Sequence, residues 1–184
     1  MSNNPYFELV SKYSDTSLLP TRGTASSAGY DFCVASDIVV PSYFRDIEVL
    51  KYYCDHSFAL AKKPYGLEDV AQITKESGVR PTLVPTGVKA YIPSNQYLQL
   101  SIRSSCPLKY WLILANGEGI IDSDYYNNPS NEGEIFFQII NLFPQDIILH
   151  KGDKIGQGIF SPYNLIKNDK AVAARVGGFG STSK

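Results

Sequence analysis

Apolar and polar positions alternate along much of this chain, and the alternation predicts strands. Tyr97-Leu98-Gln99-Leu100-Ser101-Ile102-Arg103 switches residue by residue, as a strand with one buried face must. Gly133-Glu134-Ile135-Phe136-Phe137-Gln138-Ile139-Ile140-Asn141 is a more continuous apolar run, suited to a strand covered on both faces. Segments 6–11, 30–40, 82–92, 110–116, 145–151 and 154–160 are further strand candidates. Turn formers separate them, among them Pro41, Pro85, Pro93-Ser94-Asn95, Asn116-Gly117, Phe143-Pro144-Gln145-Asp146 and Lys151-Gly152-Asp153. Many short strands with regular turns predict an all-β domain built as a sandwich, jelly roll or barrel.

One stretch has a different period. From Leu67 to Glu76 the residues are good helix formers, with Leu67, Val70 and Ala71 spaced for one apolar face and Gly78 closing the run. Upstream, 42–66 is rich in Tyr and Lys and reads as irregular structure with room for a short helix or strand. A segment of this length buries little core alone, so 42–80 reads as an insertion within a single domain, 1–184. The Gly- and Ser-rich segment 174–184 reads as a mobile C-terminal arm by composition.

Charge and composition narrow the function classes. Seventeen Lys and Arg against 18 Asp and Glu leave a net charge of −1, without the basic footprint of a nucleic-acid binder. Two scattered histidines do not make a histidine-rich metal site. Three cysteines without C-x-x-C spacing argue against a disulfide framework and for a reducing, cytoplasmic setting. No apolar run approaches the ~18 residues of a membrane span.

Four segments could carry chemistry. Arg103-Ser104-Ser105 ends the alternating strand, and a guanidinium with two hydroxyls can grip phosphate oxygens; it also reads as an ordinary strand end. Asn116-Gly117 between apolar segments predicts a hairpin that exposes an amide. Beyond it stand Asp122 and Asp124, which share a face if the strand continues, and either could deprotonate a water. Arg175 and Gly177-Gly178-Phe179-Gly180-Ser181-Thr182 offer a cation, N–H groups, hydroxyls and a ring that could stack on a base. In Lys154-Ile155-Gly156-Gln157-Gly158 the glycines permit close backbone approach, and Gln157 could bind a ligand or a neighbouring strand.

Taken in order, these segments resemble the five motifs of the homotrimeric dUTP diphosphatase family (dUTPases). Ala28-Gly29-Tyr30-Asp31 resembles the first motif and Arg103-Ser104-Ser105 the second. Gly119-Ile120-Ile121-Asp122-Ser123-Asp124-Tyr125 resembles the third and is the most specific, and Gly152-Asp153-Lys154-Ile155-Gly156-Gln157 resembles the fourth. Gly177 to Thr182 resembles the fifth. The resemblance implies a jelly-roll subunit with a partly helical insertion, a homotrimer, and three sites at subunit boundaries. It implies Asp122 as the base that activates water for attack on the α-phosphorus of dUTP, and Tyr125 as the ring against the deoxyribose. Asn116, with main chain near Ile120, Ile121 and Phe136, would read the uracil edge. Arg103, Ser104, Ser105 and Gln157 would hold phosphates, and Arg175, Gly180, Ser181 and Thr182 would close over them while Phe179 caps the base. Asp31 would support Mg²⁺ through water, the ion itself sitting on the substrate phosphates.

The chain departs from the family pattern in three places. Residues 126–132 lengthen the loop after Tyr125, Arg175 stands one residue closer to the glycine pair, and Gly156 and Gly158 replace bulkier residues. Two alternatives compete with this reading. A dCTP deaminase-like enzyme needs a proton-managing glutamate three residues before the asparagine of the Glu134–Asn141 strand, where this chain has Gln138. A nucleotide-sensing regulatory protein would use the same scaffold with 42–80 as the docking surface for a protein partner.

Overall fold

The computed structural model of the chain describes residues 4–57, 64–172 and 175. In chain order its elements are β1 (Tyr6–Leu9), β2 (Thr21–Arg22), β3 (Tyr30–Cys33), β4 (Ile38–Val40), α1 (Tyr43–Ser57), α2 (Leu67–Ser77), β5 (Thr82–Pro85) and β6 (Val88–Tyr91). They continue with β7 (Gln96–Ile102), α3 (Ser105–Tyr110), β8 (Leu112–Leu114), β9 (Gly119–Ile121), β10 (Phe136–Asn141), β11 (Ile147–Leu149) and β12 (Lys154–Pro162). Among the described residues the strands form a five-stranded sheet, β2-β3-β12-β7-β9, a three-stranded sheet, β5-β10-β8, and the pairs β1-β6 and β11-β4. Every ladder is antiparallel, in a mostly β, jelly-roll-like arrangement.

The core lies between these sheets and follows the alternation. Leu98 and Leu100 of β7 point inward with Phe32 of β3, and Phe137 and Ile139 of β10 meet them. At roughly 1.5–3 kcal/mol for each such side chain, a one-residue slip would expose the whole inward set, so the ladders have one register. Gly156 and Gly158 are explained here. A methyl group at Gly156 would overlap the Phe137 ring, and one at Gly158 would crowd Phe32 and Leu98. Bulk has moved from β12 to the rings facing it.

The structure corrects several expectations. The 30–40 segment is two strands, β3 and β4, parted at Ala35-Ser36-Asp37. The 82–92 segment also breaks, because Gly87 takes φ +69° and sends β6 to pair with β1 while β5 stays with β10. Residues 105–110 form α3, with Trp111 closing it at φ +57°. In the insertion, α1 occupies 43–57, a longer helix than the irregular structure with room for a short helix or strand that the composition predicts there. Its less exposed positions, Asp46, Val49, Leu50, Tyr53 and Cys54, repeat at helical spacing. α2 falls where predicted and ends at Gly78 (φ +71°), but Leu67 and Val70 are exposed and Ile73 is the buried residue. Ser42 belongs to the β framework: its hydroxyl donates to the Phe143 carbonyl at 2.8 Å and its N–H to Asp146 at 2.9 Å. Among the described residues no helix is long and apolar enough to cross a membrane.

Candidate functional site

The first cluster stands on the outward face of the five-stranded sheet. Asp31 on β3 pairs with Gln157 on β12, and Gln157 pairs with Ser101 on β7. Directly opposed residues share a face, so these three stand in line, with Arg103 two positions beyond Ser101. The Asp31 carboxylate lies 3.4 Å from Arg103 Nε and 3.0 Å from Lys154 Nζ. Alternation counted back from Gln157 turns Lys154 inward, which conceals any role for it in the sequence. A bulge at Ile155 shifts the alternation by one, so Lys154 and Gln157 both reach the Asp31 face while Ile155 and Gly156 stay buried. Two cations around one carboxylate leave a net positive cluster, suited to phosphate oxygens. Ser105 borders a groove of about 600 Å³ that also includes Arg103, Lys154 and Lys109. Ser104 is exposed beside it at the start of α3. Cys106 is no nucleophile: it is buried, its Sγ donates to the Ile155 carbonyl, and burial pushes its thiol up.

The second cluster comes from a turn that is not the expected hairpin. Gly117 takes φ +68° and donates to the Leu114 carbonyl at 3.0 Å, so the chain does reverse at Asn116-Gly117. Its two arms part, however, because β8 pairs with β10 and β9 pairs with β7. Between the parted arms opens a pocket of about 120 Å³, lined by Asn116, Ile120, Ile121 and Phe136 together with Gly119 and Gln138. All four predicted base-reading residues meet there. Gln138 enters the sequence argument only as the missing deaminase glutamate, and its place on this wall comes from the fold.

The third cluster follows immediately. β9 stops at Ile121 and Ser123–Tyr125 form a single 3-10 turn, so the carboxylates do not share a strand face. They are brought together by Arg175, whose Nη2 pairs with Asp122 and whose Nε lies 2.9 Å from Asp124. The guanidinium also sits 5.5 Å above the centre of the Tyr125 ring. Tyr125 is only 4% exposed, and burial pushes its phenol up. Phe179, Gly180, Ser181 and Thr182 lie outside the described residues.

The first cluster and the third stand at opposite ends of one sheet, with the pocket along β9 between them. Ile121 pairs with Leu98, and Asp122 lies one step further from Arg103. From Leu98 to Arg103 is five residues, about 17 Å at roughly 3.3 Å per residue. One chain cannot bring Asp122 and Arg103 to one phosphate.

Comparison with known proteins adds a family and a fold. The dUTPase family model matches residues 69–183. A deoxyuridine 5′-triphosphate nucleotidohydrolase of Lactococcus lactis is 35% identical over 179 residues, 96% of this chain and 95% of that protein. The crystal structure of a dUTPase from Streptococcus mutans is 37% identical and superposes with a TM-score of 0.68, covering 89% of this chain and 99% of that one. A mutant dUTPase from phage phi11 of S. aureus, a structure that reveals the coordination of a structural Mg(II) ion, matches with a TM-score of 0.58 over 91% of this chain and 96% of its own. At 16% identity that last likeness concerns the fold alone.

Proposed function

The chain belongs to the dUTPase family, and on that premise we infer that it is a dUTP nucleotidohydrolase, converting dUTP and water to dUMP and pyrophosphate. The observation that carries the reading is the small pocket between β8 and β9, with Asp122 and Tyr125 following directly on its β9 wall. The pocket takes uracil. Asn116 and the main chain of the parted arms hydrogen-bond its edge, and cytosine would cover those groups and leave them unpaired. Gln138 cannot exchange protons as a deaminase glutamate would, which supports hydrolysis over deamination.

Tyr125 then lies against the deoxyribose, and Asp122 faces the α-phosphate. Asp122 takes a proton from the attacking water as its oxygen bonds to the α-phosphorus, and the bond to the bridging oxygen of pyrophosphate breaks. A positioned base of this kind contributes about 10²–10⁴-fold. Asp122 must first leave its pair with Arg175, because the guanidinium occupies the carboxylate oxygen that would accept the proton of the water. The triphosphate, carrying more charge, is the group that draws the guanidinium away.

Phosphate binding by Arg103, Ser104, Ser105 and Gln157 comes from a second copy of the chain, because the sheet separates them from Asp122 within one copy. Family members form trimers, and a homotrimer with sites between subunits follows. The arm, with Arg175, Phe179, Gly180, Ser181 and Thr182, closes over base and phosphates. Mg²⁺ is the expected cofactor, and when bound it neutralises phosphate charge. Asp31 would support it through water: one carboxylate already engaged by Arg103 and Lys154 suits an ion carried in on the phosphates. On this reading the enzyme limits uracil entry into DNA and supplies dUMP for dTMP synthesis, in the cytoplasm. A pyrophosphate-release assay across dUTP, UTP, dCTP and dTTP tests it. Release from dUTP alone is expected, and equal turnover of UTP or dCTP would refute it.

A further inference from the structure

Residues 126–132, which lengthen the loop after Tyr125, fold back onto that same tyrosine. Asn128 N–H donates to the Tyr125 carbonyl at 3.1 Å, and Glu132 N–H returns to the Asn128 carbonyl at 2.7 Å. Gly133 takes φ +80° with its Cα so close to the Tyr125 carbonyl that no side chain fits. The loop is tied down from outside as well. Glu132 accepts from the N–H and hydroxyl of Ser11, and Lys89 Nζ reaches Asn127 at 2.6 Å.

At the centre of this loop stands Asn131. Its Nδ2 donates to the Tyr125 hydroxyl at 2.7 Å, and its Oδ1 accepts from Gly133 N–H at 3.1 Å. The amide orientation is fixed by chemistry, since the Gly133 N–H can only donate and so must face the amide oxygen. The Tyr125 hydroxyl in turn gives its one proton to the Glu134 carbonyl at 3.0 Å. The phenol oxygen is thus gripped from two sides, and the ring cannot tilt about its far end.

We propose that Asn131 is a positioning residue for sugar selection, holding the Tyr125 ring where a 2′-deoxyribose packs on it and a 2′-hydroxyl collides. The inference rests on the reading of Tyr125 as the wall against the sugar. It gives this chain's longer loop a role, which is to brace a ring whose discrimination is steric. With its proton spent on Glu134, the hydroxyl has none to offer a ribose 2′-hydroxyl, so selection depends on where the ring stands. A ring freed by a few tenths of an ångström would admit UTP while still accepting dUTP.

The test measures kcat/KM for dUTP and for UTP in the full-length protein and in Asn131→Ala, Tyr125→Phe, the double variant and Tyr125→Ala, with thermal denaturation of each. Asn131→Ala should lower the dUTP-to-UTP ratio about 5–10-fold, the size expected from losing one buried hydrogen bond to the ring, and Tyr125→Phe, which also gives up the bond to Glu134, should lower it by at least as much. The double variant should lose no more than Tyr125→Phe alone, because removing the hydroxyl already removes the Asn131 contact. A lowered Tm with an unchanged ratio in Asn131→Ala would overturn the proposal and leave Asn131 a loop brace only. Should Asn131→Ala fail to fold, Tyr125→Phe carries the test from the other side of the bond, and an unchanged ratio there overturns it equally. Tyr125→Ala separates the two levels. If it leaves the ratio intact, the reading of Tyr125 falls; if it alone relaxes the ratio, only the role of Asn131 falls.

Discussion

At one end of the five-stranded sheet, Asp31, Gln157 and Ser101 stand in line because the β3-β12 and β12-β7 ladders align them, with Arg103 two positions beyond. At the other end, Asp122 and Tyr125 stand on a turn just past the last ladder bond of β9, held by two local backbone bonds and by side chains rather than by a ladder. The first arrangement is rigid by construction: moving Gln157 means slipping β12 against both neighbours and exposing its inward face. The second has only local backbone bonds and depends further on Asn131, Glu132 and Lys89 keeping their partners. The end assigned to phosphate is a fixed array of charge, whereas the end proposed to read base and sugar can be tuned one hydrogen bond at a time.

The largest expected effect breaks the comparison at its turn end. Asp122→Asn removes the base with almost no change in volume, and kcat should fall about 10²–10⁴-fold while Tm stays within a few degrees of the parent. Asp124→Asn should cost much less, because it loosens Arg175 without touching the base. Steady-state kinetics on both variants decide this, and equal losses would refute the choice between the carboxylates.

A middle-sized effect probes the ladder end. Gly156→Ala puts a methyl group into the Phe137 ring, and about 1–3 kcal/mol of stability should go with it. Trimming the ring with Phe137→Leu in the same chain should recover part of that loss in chemical denaturation. An additive loss would mean that the contact with Phe137 is not what limits this position.

The smallest effect separates the ends by pH. Ser11 donates twice to the Glu132 carboxylate and holds it below the usual carboxylate range. A depressed folded-state pKa means the folded protein binds the proton less readily than the unfolded one. The resulting stability is present above the unfolded value, about 4.3, and is lost as pH falls through the folded one. The Tm gap between the parent and Glu132→Gln should therefore shrink from about pH 6 to about pH 3. A gap that is constant over that range would show that the Ser11 bonds do not tie the loop.

Legibility in the sequence followed the same division. The alternation from Tyr97 to Arg103 placed Leu98 and Leu100 inward and Arg103 outward, and ordered motifs pointed to the residues of both ends. Lys154 was hidden because a bulge reverses parity without any unusual residue to mark it. The parting of β8 and β9 was hidden because Asn-Gly reports a reversal of the chain and says nothing of which sheet each arm joins. The length of α1 is hard to read since Tyr, Phe, Val and Cys are poor helix formers, although Asp46, Val49, Leu50, Tyr53 and Cys54 carry the 3.6 period. The partners of Arg175 and Asn131 depend on tertiary proximity, which no local pattern encodes.

One chain holds Asp122 and Arg103 too far apart to meet at one phosphate, and in the proposed function the site is therefore completed between copies. The direct test mixes two inactive proteins, Asp122→Asn and Arg103→Ala, by co-expression, with mass measurement confirming mixed trimers. If each site takes Asp122 from one subunit and Arg103 from another, random mixing at equal amounts should restore about a quarter of the parental dUTP turnover per site. Verified mixed trimers with no more activity than the separate preparations would place both residues in one chain's site and contradict the account.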